Sequence, residues 1–355
     1  EAPGVIAAHA RWDAASGRYT MFWLEAAKTL PNIREIVGSR LAADPAEMLA
    51  LRVEQDVTEG SAHDSVCART RARADSAPND QNRQYLKVRC LPDENERNRT
   101  YIALSERSPK NAWLAFAAGY SLAEESRWAD ALARLEAARV ADPGLAPSIA
   151  EDIARLRRMT QGQHAGLADI KDLSDELHLE VTLETGEEFE NTPYLAYADL
   201  NHGRLTEALR RVNAMPELGR QLLPLVAASD GADSEVVENA LAVPPDSSIG
   251  MSKVLTLMAL AIREKRDPER YVTIVRKSGV DGHDRLINFC QILATGGAPT
   301  AAEQGLGRVS LAGRGLAYSM GVVILGKSAP SAWREGATRL LFASERPYFR
   351  KQKAQ

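Results

Sequence analysis

Helix-length segments separated by short breakers fill the second half of this chain, and that punctuation limits its possible folds more than any other feature. From about Pro193 onward the breakers are Ser229-Asp230-Gly231, Pro244-Pro245-Asp246, Arg266-Asp267-Pro268, Gly279-Val280-Asp281-Gly282, Gly296-Gly297-Ala298-Pro299 and Lys327-Ser328-Ala329-Pro330. Glycine ends periodic structure through its backbone freedom, and proline through its fixed φ and missing N–H. The intervals fit helices of about 10 to 15 residues joined by short turns. Asp267-Pro268 and Ala329-Pro330 place proline where a helix can begin, a position at which the missing N–H is harmless.

The best-defined unit is 111–143, NAWLAFAAGYSLAEESRWADALARLEAARVADP. Its pattern predicts one helix carrying Ala118-Gly119 and a second opened by Trp128, with Ala131, Leu135 and Ala138 at helical spacing. Small residues let two antiparallel helices cross closely, while Trp128 and Leu135 fill the space between them. Asp142-Pro143 ends the second helix, because proline disfavours helix in the residue before it. This unit resembles a tetratricopeptide repeat, whose period is about 34 residues. It departs from the family in the first helix, where Trp113 lies earlier than the usual aromatic and Ala115 stands in that place. Partial echoes occur at 17–31, with bulky Phe22 where a small residue is usual, at 203–216 after a first helix over 194–201, and at 333–347.

The implied fold is all-α, an α-solenoid of antiparallel helix pairs of tetratricopeptide-like form. It divides into an N-terminal helical repeat array at 1–160, an irregular acidic linker at 161–191 and a C-terminal array at 192–355. Within the linker, Leu177 to Glu184 alternates apolar and polar residues with period two, a strand signal without a partner. A lone strand, an extended linker and an ordinary helix all remain open there. The segment 56–79 is polar, carries both charge signs and reads as an exposed hairpin.

Composition removes several classes of function. The net charge of -4 argues against general nucleic-acid binding, which needs a strong basic excess. The densest apolar stretch, GVVILG from Gly321 to Gly326, is far shorter than the roughly 20 residues of a membrane span. The chain starts at Glu1 rather than methionine, which a removed signal, a removed anchor or a trimmed end explains equally well.

Three cysteines are present, Cys67, Cys90 and Cys290. Buried, inert thiols are one reading. The other pairs Cys67 with Cys90: they lie on two helical segments flanking the breaker Asp75-Ser76-Ala77-Pro78-Asn79. In an antiparallel hairpin, residues equally far from the turn come side by side. A disulfide there implies an oxidising compartment such as a periplasm, and free thiols a cytoplasmic one.

Catalytic and cofactor motifs find no support. The histidines are scattered singly, without the spacing that binds zinc. Asp281-Gly282-His283-Asp284 reads as a turn ending in a helix cap, and Gly305-Leu306-Gly307 with Gly313-Arg314-Gly315 lacks the order of a phosphate loop. Asn98-Arg99-Thr100 is a sequon with no further support. No cofactor or metal is expected. The arginines Arg69, Arg71 and Arg73, and Arg155, Arg157 and Arg158, read either as solvated helix faces or as a patch recognising an anion or acidic peptide. Trp12, Tyr19, Phe22 and Trp23 read either as a packing cluster or as a contact patch.

The tetratricopeptide resemblance implies binding of a protein or peptide along a concave groove lined by the first helix of each pair. Trp113, Phe116 and Tyr120 in the full repeat, with Tyr194 and Tyr197 in the half-repeat, are the expected contact residues. The expected function is a non-enzymatic scaffold, as part of a bacterial envelope assembly. The alternative is a helical accessory module of a larger enzyme or export machine.

Overall fold

The computed structural model describes residues 32–142, 146–164, 167, 175–186, 194–244, 249–278 and 282–350. The aromatic cluster Trp12, Tyr19, Phe22 and Trp23, the echo at 17–31 and parts of two breakers (245–248 and 279–281) lie outside the described residues. Those residues form nineteen α-helices and no strand. Two compact units divide between Leu156 and Arg157.

The first unit contains α1 (Ile33–Ala43), α2 (Met48–Val57), α3 (Gly60–Asp75), α4 (Gln81–Arg89), α5 (Glu94–Arg107), α6 (Ala112–Glu124), α7 (Trp128–Ala141) and the start of α8 (Ala146–Gln161). Side-chain caps fix three of the helix starts. Asp80 accepts from the amides of Asn82 and Arg83, Asp93 from Glu96, and Asn111 from Leu114. Each satisfies amides that the helix itself cannot. The core gathers Leu49, Val53, Tyr85, Tyr101, Trp113 and Leu114, with the Tyr85 ring 5.8 Å from Tyr101 and 5.5 Å from Trp113. Within 111–142 the helix carrying Ala118-Gly119 and the helix opened by Trp128 form as read; Asn111 caps α6, and a Cβ built on Gly119 would stand 2.5 Å from Leu135.

The second unit holds α9 (Asp175–Thr185), α10 (Leu195–Asn201), α11 (Leu205–Ala214), α12 (Pro216–Ala227), α13 (Ser234–Ala242), α14 (Met251–Arg263), α15 (Glu269–Lys277), α16 (His283–Ala294), α17 (Pro299–Leu306), α18 (Leu311–Leu325) and α19 (Ser331–Leu340). Helix α14 is its hub. Every residue from Lys253 to Ala261 is buried, and α12, α13, α15, α16 and α18 all pack on it. A helix apolar all round belongs inside a core. Pro268 and Pro330 stand at helix starts, as their sequence context predicts.

Two expectations change. The segment 161–191 is not irregular throughout, because α9 occupies 175–185. Its period-two alternation is incidental to a helical face: Leu177, Val181 and Glu184 are buried together, while Leu179 is 44% exposed. The division between units also falls at 156/157, ahead of that segment.

Close approach of helices in the second unit rests on missing side chains. A Cβ on Gly321 of α18 would stand 2.5 Å from the Trp333 ring and 3.2 Å from Phe289. Gly321→Ala gains about 1 kcal/mol of helix propensity but overpacks a rigid indole, at a cost of about 1–3 kcal/mol. The variant is expected to unfold at lower urea concentration than the parent; a raised midpoint would show that the contact is slack.

Candidate functional site

The five aromatic positions expected to line a groove separate by burial. Trp113 and Phe116 are 7% and 8% exposed, and Tyr197 is 4% exposed inside the core of the second unit. Burial drives the Tyr197 phenol up to about 12. These three serve packing and offer no contact face. For Trp113 and Phe116 the reason is the character of α6, where ten of thirteen residues are buried. Tyr120 is half-buried, packs edge-on to Phe116 at 4.8 Å and donates its hydroxyl to Asp152. Tyr194, 43% exposed, is the one of the five that presents a substantial surface. Asn98 of the sequon is buried and donates to Glu124, which closes it to modification in the folded unit.

The cysteine pair is formed. Cys67 on α3 and Cys90 at the end of α4 are joined, with Cα atoms 5.4 Å apart, and Cys290 is a separate buried thiol. The segment 56–79 is therefore largely helix, and the arm that carries Cys67 contributes only Val66, Cys67 and Ala74 to the buried interior. A polar network backs the disulfide. Gln55 Nε2 donates to Cys90 Sγ at 3.3 Å and to the Leu86 carbonyl at 2.9 Å, while Gln55 Oε1 accepts from Arg89 at 2.9 Å. Arg89 and Arg52 both pair with Asp56, and Arg52 Nε donates to the Tyr85 hydroxyl at 3.1 Å. Burial raises the Tyr85 phenol, but Arg52 and Arg89 outweigh it and leave its pKa below the ordinary tyrosine value.

The same three helices, α2, α3 and α4, also line a cleft of about 290 Å³. The turn 44–46 forms one edge, Met48 and Leu51 of α2 with Leu86 of α4 form an apolar floor, and Thr70 and Arg73 of α3 face Asp80, Asn82 and Arg83 at the start of α4. Its charges are unequally engaged. Asp44 accepts from the Ala46 amide at 2.9 Å, and Asp80 caps α4 with one oxygen while pairing with Arg83 at 3.0 Å through the other. The Arg73 guanidinium meets no carboxylate among the described residues, only the Pro45 carbonyl at 3.4 Å. Asn82 accepts from Asn111 at 2.8 Å, and its own amide N–H groups meet no acceptor among the described residues. Of the arginine run, Arg69 pairs with Glu54 at 2.8 Å, so Arg73 alone combines the cleft with an unspent charge. The sequence showed the arginines but not which one reached a cavity.

The second unit carries a buried ionic cluster. Glu184 on α9 pairs with Arg158 at 3.2 Å and with Arg346 at 3.0 Å, all three no more than 3% exposed. Arg346 also donates to the carbonyls of Thr338 and Leu341. Nearby, Glu180 accepts from the Ser344 amide and hydroxyl. These contacts fasten the non-helical segment after α19, whose Tyr348 amide donates to Ser229 at 2.8 Å. The arginines of the second run are thus partly structural. Gly282 starts α16 with φ of 85°, in accord with the turn-and-cap reading, and no group of three potential metal ligands occurs among the described residues. Gly307 ends α17, whereas Gly313 and Gly315 lie within α18.

No family model, curated protein or solved structure matches this chain.

Two outcomes follow from these geometries. Cross-linking positions 23 apart removes about 3 kcal/mol of chain entropy from the unfolded state. Cys67→Ser/Cys90→Ser should lower the stability of the first unit by that order in guanidinium, and an unchanged midpoint would deny the cross-link that role. For Glu184, burial opposes ionisation, but Arg346 and Arg158 outweigh it and bring the carboxyl down to about 2. A depressed folded pKa stabilises above the unfolded value near 4.5 and is lost as pH falls toward 2. Stability of the second unit should therefore fall through that window. Glu184→Gln, which leaves two buried guanidinium groups uncompensated, should cost about 3–5 kcal/mol at pH 7 and flatten the acid limb. An acid limb unaltered in the variant would assign the sensitivity to other carboxylates.

Proposed function

We propose that this chain is a non-enzymatic scaffold that binds a protein or peptide partner. The observation that carries the reading is the cleft of the first unit: an apolar floor flanked by an unspent guanidinium and unengaged amide donors is what a peptide side chain and its neighbour require. The finer architecture belongs to the same proposal. In the first unit, short helices packing mainly on their sequence neighbours, with Gly119 lying close against Leu135, support an α-solenoid of antiparallel pairs of tetratricopeptide-like form. The cysteine cross-link supports an exported, periplasmic setting within a bacterial envelope assembly, since such bonds persist in oxidising compartments. Cytoplasmic residence is the competing setting. The competing function is an accessory module of a larger enzyme or export machine, and the division into two compact units is the observation that favours it.

Selection of a displayed random twelve-residue peptide library on the folded, unreduced chain tests the scaffold reading. Enrichment of a shared sequence pattern, competed by the soluble chain, is the expected result. Failure to enrich any pattern, with helicity intact by circular dichroism, would contradict it.

A further inference from the structure

The cleft between α2, α3 and α4 has features that narrow its occupant. Its floor is aliphatic, supplied by Met48, Leu51 and Leu86, and its volume of about 290 Å³ suits one or two side chains rather than a folded surface. Arg73, at its wall, is the charged group whose demand no carboxylate among the described residues meets. A guanidinium offers two parallel N–H groups to one carboxylate, a match that an ammonium cannot reproduce. The unengaged N–H groups of Asn82 add a neutral donor on the α4 side.

Charge summed over the cleft does not select an anion, because Asp44 and Asp80 balance Arg73 and Arg83. The aspartates, however, are occupied: Asp44 holds its own turn, and Asp80 holds the start of α4 and Arg83. An arriving carboxylate therefore meets a directed fork rather than a long-range positive field. Attraction of that kind acts at hydrogen-bond distance and, at an exposed guanidinium, weakens as ionic strength rises.

The geometry points to an acidic–aliphatic peptide segment as the ligand of this cleft, its aliphatic side chain on the Met48, Leu51 and Leu86 floor and the neighbouring carboxylate on the Arg73 fork. The inference rests on the scaffold reading and specifies its ligand. Uncharged apolar peptides would leave Arg73 unmet, and small free acids would forgo the backbone contacts available to a peptide beside Asn82.

The test uses the unreduced full chain and three probes: a blocked tetrapeptide with adjacent leucine and glutamate, its twin with glutamine for glutamate, and 4-methylpentanoate. Titration followed by ¹⁵N-arginine resonances reads both affinity and site. The glutamate peptide should bind about tenfold more tightly than its twin and than 4-methylpentanoate at low salt, with the preference over the twin shrinking as salt is raised. Arg73→Ala and Arg73→Lys should both abolish the preference, the latter because it keeps charge but loses the fork, while Arg71→Ala on the same helix should retain it. Equal binding of the two peptides, a preference that survives Arg73→Ala, or equal affinity for the free acid would overturn the inference. If neither peptide binds while library selection enriches a non-acidic pattern, this inference fails and the scaffold reading stands. Loss of enrichment from the library would remove the scaffold reading itself.

Discussion

The cross-link between Cys67 and Cys90 is the constraint on which the N-terminal unit turns. Helix α3 buries only three of its sixteen residues, so the hydrophobic effect gives it little reason to stay on its neighbours. Its other hydrogen-bond and ion-pair ties to α4 are a Gln84 hydrogen bond to the Ala74 carbonyl at 3.0 Å, a long one from Arg83 to the Arg73 carbonyl at 3.5 Å and a Lys87–Asp75 pair open to solvent. Exposed pairs of that type are worth about 0–1 kcal/mol. The disulfide fixes α3 against α4, and with it both flanking walls of the cleft. Gln55, Arg89, Asp56 and Arg52 extend the same constraint inward to the Tyr85 ring and the aromatic core.

The second unit solves a comparable problem with charge instead of sulfur. The segment beyond α19 has no helix to satisfy its backbone, and its polar groups find partners one by one in Glu180, Ser229, Asp230 and Glu184. Placing Glu184 between two buried guanidinium groups costs desolvation, and the carbonyls of Thr338 and Leu341 help offset it by accepting further N–H groups of the two arginines. That arrangement is specific, since deleting one member leaves the others charged and dry.

Much of the fold was legible because helices announce their ends locally. Asn111, Trp128 and Asp142 bounded α6 and α7, and Pro268 and Pro330 marked helix starts, all through short-range chemistry. The cysteine pair was legible for a related reason, as a hairpin fixes which residues lie opposite. Helix α9 was left open because period two and period 3.6 coincide over so short a stretch, and only tertiary packing reveals that Leu179 faces outward while Glu184 does not.

The candidate site was far less legible. Aromatic residues on α6 looked like a contact face, but whether a Trp113 or a Tyr197 faces a core or a groove depends on the helices beside it, which local pattern does not encode. Arg73 was visible only as one of several arginines. Its distinction is that its guanidinium pairs with no carboxylate among the described residues, a property of three helices brought together by a bond between two of them. Hydrogen exchange measured by mass spectrometry on oxidised and mildly reduced protein tests that dependence most directly. The account predicts that amides of 60–75 lose protection on reduction while those of α6 and α7 keep theirs. Unchanged protection across 60–75 after complete reduction would show that α3 is held by packing, and would contradict it.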